Sequence, residues 1–434
     1  MRARFTTAWR SGPLAIPGLR LLATGQFTST AGDYCYAVAL PWLVLSARGG
    51  PVLLGTVLAC YGVPRTVFIP AGGVLADKIG PRTIMLAADA VRCGLLVALT
   101  VLAAEHTASL AVLGPVAALL GAGEGVFLPA SFSIMPSVLE PEHLAAGNAI
   151  NSAAVQAGTV AGPVLGGVLV ASAGPAAAFG ADAATFAVSA LSLALIRRRA
   201  PAEAAAPGAA GAPGAAGAPG APGAPDAGGG VWALLRSARI LQIVVVVVIA
   251  ANLASGGTFE VALPALAHAR FGAGGYGALI ACLGAGAVIG TLAAARGGRA
   301  ARPSLIAACS ILVTGLSMTL VPFLGGLPGA AAATFVLGAS NGFGNTLFFT
   351  LLQRWAPAGL LGRVMSVVML AGLGTFPLSV AVSGVLVGQI GPSLFFPVAG
   401  TMIAVAVAGA LSQREFRYFG SAPPPEAELG VAAA

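Results

Sequence analysis

An all-α membrane protein of twelve transmembrane helices, arranged as two six-helix sets, is the fold class this sequence predicts. Composition is the first reason: 57% of the 434 residues are hydrophobic, 8% are charged, and the mean hydropathy is +0.92. That leaves too little polar surface to solvate a soluble globule of this length. The second reason is the apolar runs of about 20 residues, long enough for helices to cross hydrocarbon. Hydrocarbon admits only structures that satisfy every backbone amide internally, and these runs lack the ten-residue alternation of a barrel. Short matches between the two halves at similar spacing are the third.

Cut at charges and at Gly/Pro clusters, the first half gives spans near 20–46, 51–76, 83–104, 109–133, 150–172 and 176–196. Arg2, Arg4, Arg10 and Arg20 precede a long first span that contains Asp33. A cleavable signal peptide has a short uncharged core, so a retained start helix is expected. After Arg197, Arg198 and Arg199, an Ala/Gly/Pro segment runs to Gly230 with six Gly-x-y triplets between Gly208 and Pro225. A collagen helix needs many more triplets and three chains, so a flexible cytoplasmic linker over 200–235 is the expectation. Spans resume near 239–266, 273–295, 303–322, 329–352, 363–388 and 392–412. The expected domains are therefore two bundles, 1–199 and 236–418, followed by a disordered cytoplasmic tail at 419–434.

With both termini placed inside, 18 of the 22 basic residues fall in cytoplasmic segments and two, Arg48 and Arg270, fall outside. Arg65 and Arg92 lie within spans. This bias orients the chain with both termini cytoplasmic. The net charge of +8 does not predict a nucleic-acid partner, because the basic residues are dispersed over short loops. His106, His143 and His268 sit near predicted helix ends, and Cys35, Cys60, Cys93, Cys282 and Cys309 sit in apolar runs without metal-ligand spacing. No disulfide, metal or cofactor is expected.

Val38-Ala39-Leu40-Pro41, late in the first span, recurs as Val261-Ala262-Leu263-Pro264 late in the seventh, 223 residues on. Pro141-Glu142-His143-Leu144 before the fifth span is similar to Pro357-Ala358-Gly359-Leu360 before the eleventh, 216 residues on. The near-equal offsets imply duplicated halves, as in transporters whose halves rock about a site near the bilayer midplane.

The turn between spans two and three reads Gly73-Val74-Leu75-Ala76-Asp77-Lys78-Ile79-Gly80-Pro81-Arg82. It resembles the signature loop of major facilitator transporters at Gly73, Leu75, Ala76, Asp77, Lys78, Gly80 and Arg82, with Pro81 departing from the usual basic residue. That resemblance implies the major facilitator fold, with this loop as a conformational latch in which Asp77 holds a neighbouring helix end. The equivalent loop of the second half, Ala295-Arg296-Gly297-Gly298-Arg299, keeps basic residues and lacks the acid. In span five, Gly158, Gly162, Pro163, Gly166 and Gly167 fit a pattern associated within that superfamily with antiporters and drug exporters. Small residues four apart let helices approach closely, and Pro163 favours a bend; generic close packing is the alternative. Gly32-Asp33, Pro64-Arg65, Ala88 to Arg92, Leu352-Gln353-Arg354 and Gly362 to Ser366 resemble the exporter branch that includes macrolide efflux proteins and the enterobactin exporter.

Seven ionisable side chains fall within spans: Asp33, Arg65, Asp89, Arg92, Glu124, Asp182 and Glu260. A charge at the bilayer centre costs about 2.5–3.5 kcal/mol on insertion scales, so each must pair, face a cavity or lose its charge. Six lie in the first half, the expected seat of ion coupling. Asp89 and Arg92, three apart, read as a local pair, and Arg65 is expected to meet Asp33. Glu124 lies in Gly121-Ala122-Gly123-Glu124-Gly125, where glycines would open room around its carboxylate. Asp33 and Glu124 are accordingly the expected proton carriers; structural pairing with Arg65 or Arg92 is the alternative. Either Asp182 or Glu260 could line an outward vestibule; for Asp182 a helix-start or interhelical bonding role is the expectation, and for Glu260 attraction of a cationic substrate.

Tyr34, Phe127 and Asn151 in the first half, with Asn252, Phe259, Glu260, Asn341 and Asn345 in the second, are the candidate substrate contacts, combining apolar surface with adaptable hydrogen bonds. The expected partners are a small molecule, protons and membrane lipid, in a chain that works as a monomer in a bacterial plasma membrane. Export of a hydrophobic or amphipathic compound by proton antiport is the expected activity, with import by the same fold as the alternative. A phosphate-binding loop, paired metal ligands or a catalytic triad would suggest an enzyme or sensor, and the sequence shows none of them.

Overall fold

The computed structural model describes residues 15–47, 49–105, 109–196, 239–297, 302–356 and 361–417. The expected linker at 200–235 and tail at 419–434 lie outside these residues, as do Pro357 to Leu360. Helix is the regular structure throughout, and no strand occurs among the described residues. The long helices are α1 (Pro17–Ser46), α2 (Gly50–Ile79), α3 (Pro81–Ala104), α4 (Leu110–Ser133) and α5 (Leu144–Leu195). They continue as α6 (Arg239–Arg270), α7 (Gly272–Gly297), α8 (Pro303–Leu320), α9 (Gly326–Trp355), α10 (Leu361–Ile390) and α11 (Pro392–Ser412).

Glycine followed by proline marks three of the joints. Gly80, Gly174 and Gly391 take φ of 89°, 80° and 79°, each just before Pro81, Pro175 or Pro392. Left-handed backbone favours glycine, and proline at the first helical position loses no hydrogen bond because that N–H has no intrahelical partner. The break at Gly174 divides the 52-residue α5 into two arms, where the sequence places the boundary between spans five and six. Pro163 lies within the first arm, which stays helical through it, and the break in the helix is at Gly174.

Among the described residues, ten helices are long and apolar enough to cross a membrane. Counting the arms of α5 separately and adding the 30-residue α1 gives a number compatible with twelve spans. Large apolar side chains such as Val67, Val97, Leu119, Val168 and Leu191 point outward, as lipid-facing surfaces require.

The described residues form two compact units. One comprises Met1–Ala47 and Cys60–Gly220, the other Arg48–Ala59 and Ala221–Ala434. In the first, Leu19, Leu22, Met85, Phe127, Ile134 and Leu193 share an apolar core. Lipid tails remove the hydrophobic drive between helices, so close backbone approach at small residues holds such a bundle.

That approach is visible along the glycines. Cβ atoms at Gly158, Gly162 and Gly166 would crowd Phe27, Ala31 and Cys35 of α1 at 2.5–2.9 Å, so α5 lies directly on the α1 backbone. Gly121 and Gly125 of α4 rest in the same way on the backbones of Tyr61 and Arg65 in α2. In the second unit Gly338 and Gly342 of α9 rest on Leu283 and Ala287 of α7. Each of these glycines lies 217 residues after its counterpart in α4, so the duplication read from short matches is also a duplication of helix contacts.

Candidate functional site

The first unit concentrates charge. Arg65 Nη2 lies 3.2 Å from Glu124 Oε1, and Arg92 Nη2 donates to Asp33 Oδ1. The direct ion pairs are thus Arg65 with Glu124 and Arg92 with Asp33, while the expected couples, Arg65 with Asp33 and Arg92 with Asp89, interact only as nearby charges. The glycines around Glu124 bring the α2 backbone near, and Arg65 with it, rather than opening space around the carboxylate. The alternative of pairing with Arg65 and Arg92 therefore describes the geometry of both Glu124 and Asp33.

Arg92 is 4% exposed, and its guanidinium stacks 4.1 Å from the centre of the Phe186 ring. Gly123 of α4 leaves room for the Arg92 stem, since a Cβ there would meet its Cγ at 3.2 Å. Asp33 is 40% exposed, so the pair has one buried and one accessible end. Asp89 is fully buried; Ser189 Oγ donates to its Oδ2 at 2.6 Å, and its Oδ1 has no hydrogen-bond partner among the described residues. Asp182 is buried against Gly32 of α1, and its hydrogen bond comes from its own helix, Thr185 Oγ1 donating to it at 3.2 Å.

Phe186 and Ser189 were not anticipated as partners. Their signal is the row Asp182, Thr185, Ser189 and Ser192, which puts one polar stripe on an otherwise apolar arm of α5 at helical spacing.

The second unit concentrates space. A cavity of about 470 Å³ is lined by Asn252, Phe259, Glu260, Asn341 and Asn345, five of the expected substrate contacts. Phe348, Phe349, Phe376 and Met369 add apolar wall. Buried hydroxyls close one side: Ser310 Oγ donates to Ser340 O at 2.6 Å, and the Thr314 and Ser340 hydroxyls are 2.9 Å apart. Among the described residues that line the cavity, Glu260 is the only acid and none is basic.

Local sequence explains how Phe259 and Glu260 come to face the cavity. Pro264 has no N–H to return to the Glu260 carbonyl, and the helix widens to a π turn over Thr258–Ala262, where Leu263 N bonds Thr258 O five residues back. Of the remaining expected contacts, Phe127 packs in the apolar core of the first unit. Tyr34 and Asn151 are half-buried in that unit and do not line the cavity.

The duplicated helices put these two sites at equivalent positions. The 223-residue offset carries Asp33 to Gly256, and the 217-residue offset carries Glu124 to Asn341. Counted from the helix-opening prolines Pro81 and Pro303, Asp89 and Arg92 correspond to Ile311 and Thr314. All four counterparts line the cavity. Where the first unit holds carboxylates and guanidinium groups, the second holds small, apolar or neutral polar side chains and leaves a hole.

At the expected latch, Asp77 and Lys78 are exposed and Gly80 turns the chain into α3. Arg82 does the holding: its Nε donates to Leu193 O at 2.7 Å and its Nη2 to Ala194 O at 2.6 Å, satisfying terminal carbonyls of α5. The helix held is therefore gripped by the arginine, while Asp77 has no hydrogen bond or ion pair among the described residues. The closest approach of α2 to α4 here comes at Gly72 rather than Gly73. Gly167 is buried beside Gly166 in α5, and Cys35 Sγ donates to Gly162 O at 3.2 Å across the same contact.

Comparison with known proteins agrees with this architecture. The uncharacterised MFS-type transporter YfiS of Bacillus subtilis (strain 168) is 27% identical over 397 residues, 89% of this chain and 90% of its own. The enterobactin exporter EntS of Salmonella typhimurium is 25% identical over 358 residues, 80% of each chain. Among solved structures, a bacterial homologue of the iron transporter ferroportin, in an inward-facing state, superposes with a TM-score of 0.70 at 15% identity, covering 94% of this chain and all of the other. A nucleoside transporter, NupG, gives 0.68 at 11% identity, covering 91% of this chain and 99% of the other. The Major Facilitator Superfamily model matches residues 22–376, and with that match spanning most of the helical chain, the chain belongs to the major facilitator superfamily of membrane transporters.

Proposed function

We propose that this transporter exports a hydrophobic or amphipathic small molecule, of a drug, antibiotic or siderophore-like kind, from a bacterial cell in exchange for protons. The observation that carries the reading is the cavity of the second unit: aromatic walls, three asparagine amides and a single carboxylate, Glu260. Such a lining suits a compound with a broad apolar face, a few hydrogen-bonding groups and a tolerated positive charge. Proton coupling is assigned to the first unit, where Asp33 and Glu124 are carboxylates that can trade a proton against their arginine partners. The outward direction rests on the glycine-rich pattern of span five and on the similarity to enterobactin exporters. The basic residues support a plasma-membrane placement with both termini in the cytoplasm, working as a monomer.

Everted membrane vesicles test the reading. Vesicles carrying this chain should accumulate a lipophilic cationic dye, a macrolide or a catecholate siderophore when the lumen is acidified, and a protonophore should abolish the uptake. Equal accumulation in vesicles lacking the chain, or indifference to the proton gradient for every compound in that panel, would overturn it.

A further inference from the structure

The first unit holds four acids near the two arginines of its spans, Arg65 and Arg92, and the ion pairs of those arginines use only Asp33 and Glu124. Asp89 is left fully buried with one hydroxyl donor and one oxygen without a hydrogen-bond partner among the described residues, although Arg92 sits one turn away on the same helix. A guanidinium three residues from a carboxylate is within reach of it along α3. Instead Arg92 extends to Asp33 on α1, laid over the Phe186 ring, and its Nε makes no hydrogen bond among the described residues. A buried carboxylate that accepts one hydroxyl and feels the Arg92 charge only at a distance is costly in its ionised form, whereas one held directly by a guanidinium is compensated. Arg92 cannot satisfy both acids with the bonds it makes here.

We propose that Asp89 is a second proton-binding carboxyl and that Arg92 is exchanged between it and Asp33. With Arg92 on Asp33, Asp89 carries the proton. When Arg92 swings to Asp89, one proton relocates from the Asp89 carboxyl to the Asp33 carboxylate, an O–H bond breaking at the first and forming at the second. Charge and proton number within the unit do not change in that step. Asp33, whose side chain is 40% accessible where Asp89 has no accessible surface, is the member of the couple from which the proton would leave the protein. The other charged groups facing this pair are Asp182 on α5, which already accepts from Thr185, and Arg65 on α2, which is paired with Glu124. The neutral Ile311 and Thr314 at the equivalent places of the second unit confine the exchange to the first.

The inference rests on proton coupling but is tested without any transported compound, so its failure and the failure of the export reading are separable. Infrared spectra of the purified protein in lipid at neutral pH should contain a carboxylic-acid carbonyl band that Asp89→Asn removes. Ser189→Ala should move that band to higher wavenumber by deleting the hydroxyl donor. Asp33→Asn should also remove it, because Arg92 then has only Asp89 to hold and Asp89 becomes ionised. Gel filtration confirms that each variant is folded; if Asp89→Asn cannot be purified, the Ser189→Ala shift decides. An unchanged band in Asp89→Asn, no shift in Ser189→Ala, or a band that survives in Asp33→Asn overturns the proposal.

Discussion

Arg65 and Glu124 meet at 3.2 Å because the residue after Glu124 has no side chain. Gly125 lets α4 settle onto the Arg65 backbone, and Glu124 is then carried to the guanidinium. Close helix contact and charge compensation are thus one arrangement, written in adjacent residues.

Removing one member of that pair leaves the other poorly compensated in a partly buried place. Glu124→Gln should lower stability by about 1–3 kcal/mol, less than a fully buried pair would lose because both side chains retain about a fifth to a quarter of their exposure. The double variant with Arg65→Gln should recover most of the loss. Thermal unfolding in detergent of the two single variants and the double gives the coupling.

Gly125→Ala should cost more than its chemistry suggests, since the new Cβ would meet the Arg65 carbonyl inside van der Waals contact and the helices would have to part. About 1–3 kcal/mol is expected, as for overpacking elsewhere. Gly342→Ala, its counterpart against Ala287, should behave alike. Gly94→Ala meets nothing within 4 Å and should be neutral or stabilising by about 0.5–1 kcal/mol, the helix gain over glycine. The ranking is read from unfolding temperatures.

In the second unit, Glu260→Gln should weaken binding of a lipophilic cation by roughly tenfold, the equivalent of about 1.4 kcal/mol, while binding of an uncharged compound changes little. Phe259→Ala should weaken both. Fluorescence titration with a cationic and a neutral dye of similar size separates the two effects, and unaltered unfolding temperatures would show that the fold is intact.

Arg82→Ala deletes two donors to the end of α5 and should cost about 1 kcal/mol. Faster amide hydrogen exchange near Leu193, with the rest of α5 unaffected, is the expected signature. Arg82→Lys should recover part of the loss, since a lysine can reach one of the two carbonyls but cannot fork between them.

Much of the fold was legible because membrane helices announce themselves locally. The apolar runs gave the spans, and Gly174-Pro175 sits at the boundary they implied, since a left-handed glycine before proline is a property of two adjacent residues. Five cavity residues were legible for a similar reason: Asn252, Glu260, Asn341 and Asn345 are polar in apolar helices, and Phe259 adjoins one of them. The ion pairing was not. Spacing along one helix suggests Asp89 with Arg92, but which neighbour Arg92 reaches depends on the rotation of α1 about its axis, and no interval within α3 encodes that. The glycines beside Glu124 misled for the same reason, because an empty side-chain position makes room either for solvent or for another helix, and here α2 fills it. Phe127 shows the limit of residue type as a guide, since an aromatic ring serves a core as readily as a binding wall.

Along Gly158, Gly162 and Gly166, peptide groups of α1 and α5 touch with no intervening layer of side chains. A ridge seated so deeply resists slippage, since any displacement shorter than a full turn would drive Cα atoms into carbonyl oxygens. In any change of shape these two segments should therefore travel as a single strut, leaving the compliance to other parts of the chain.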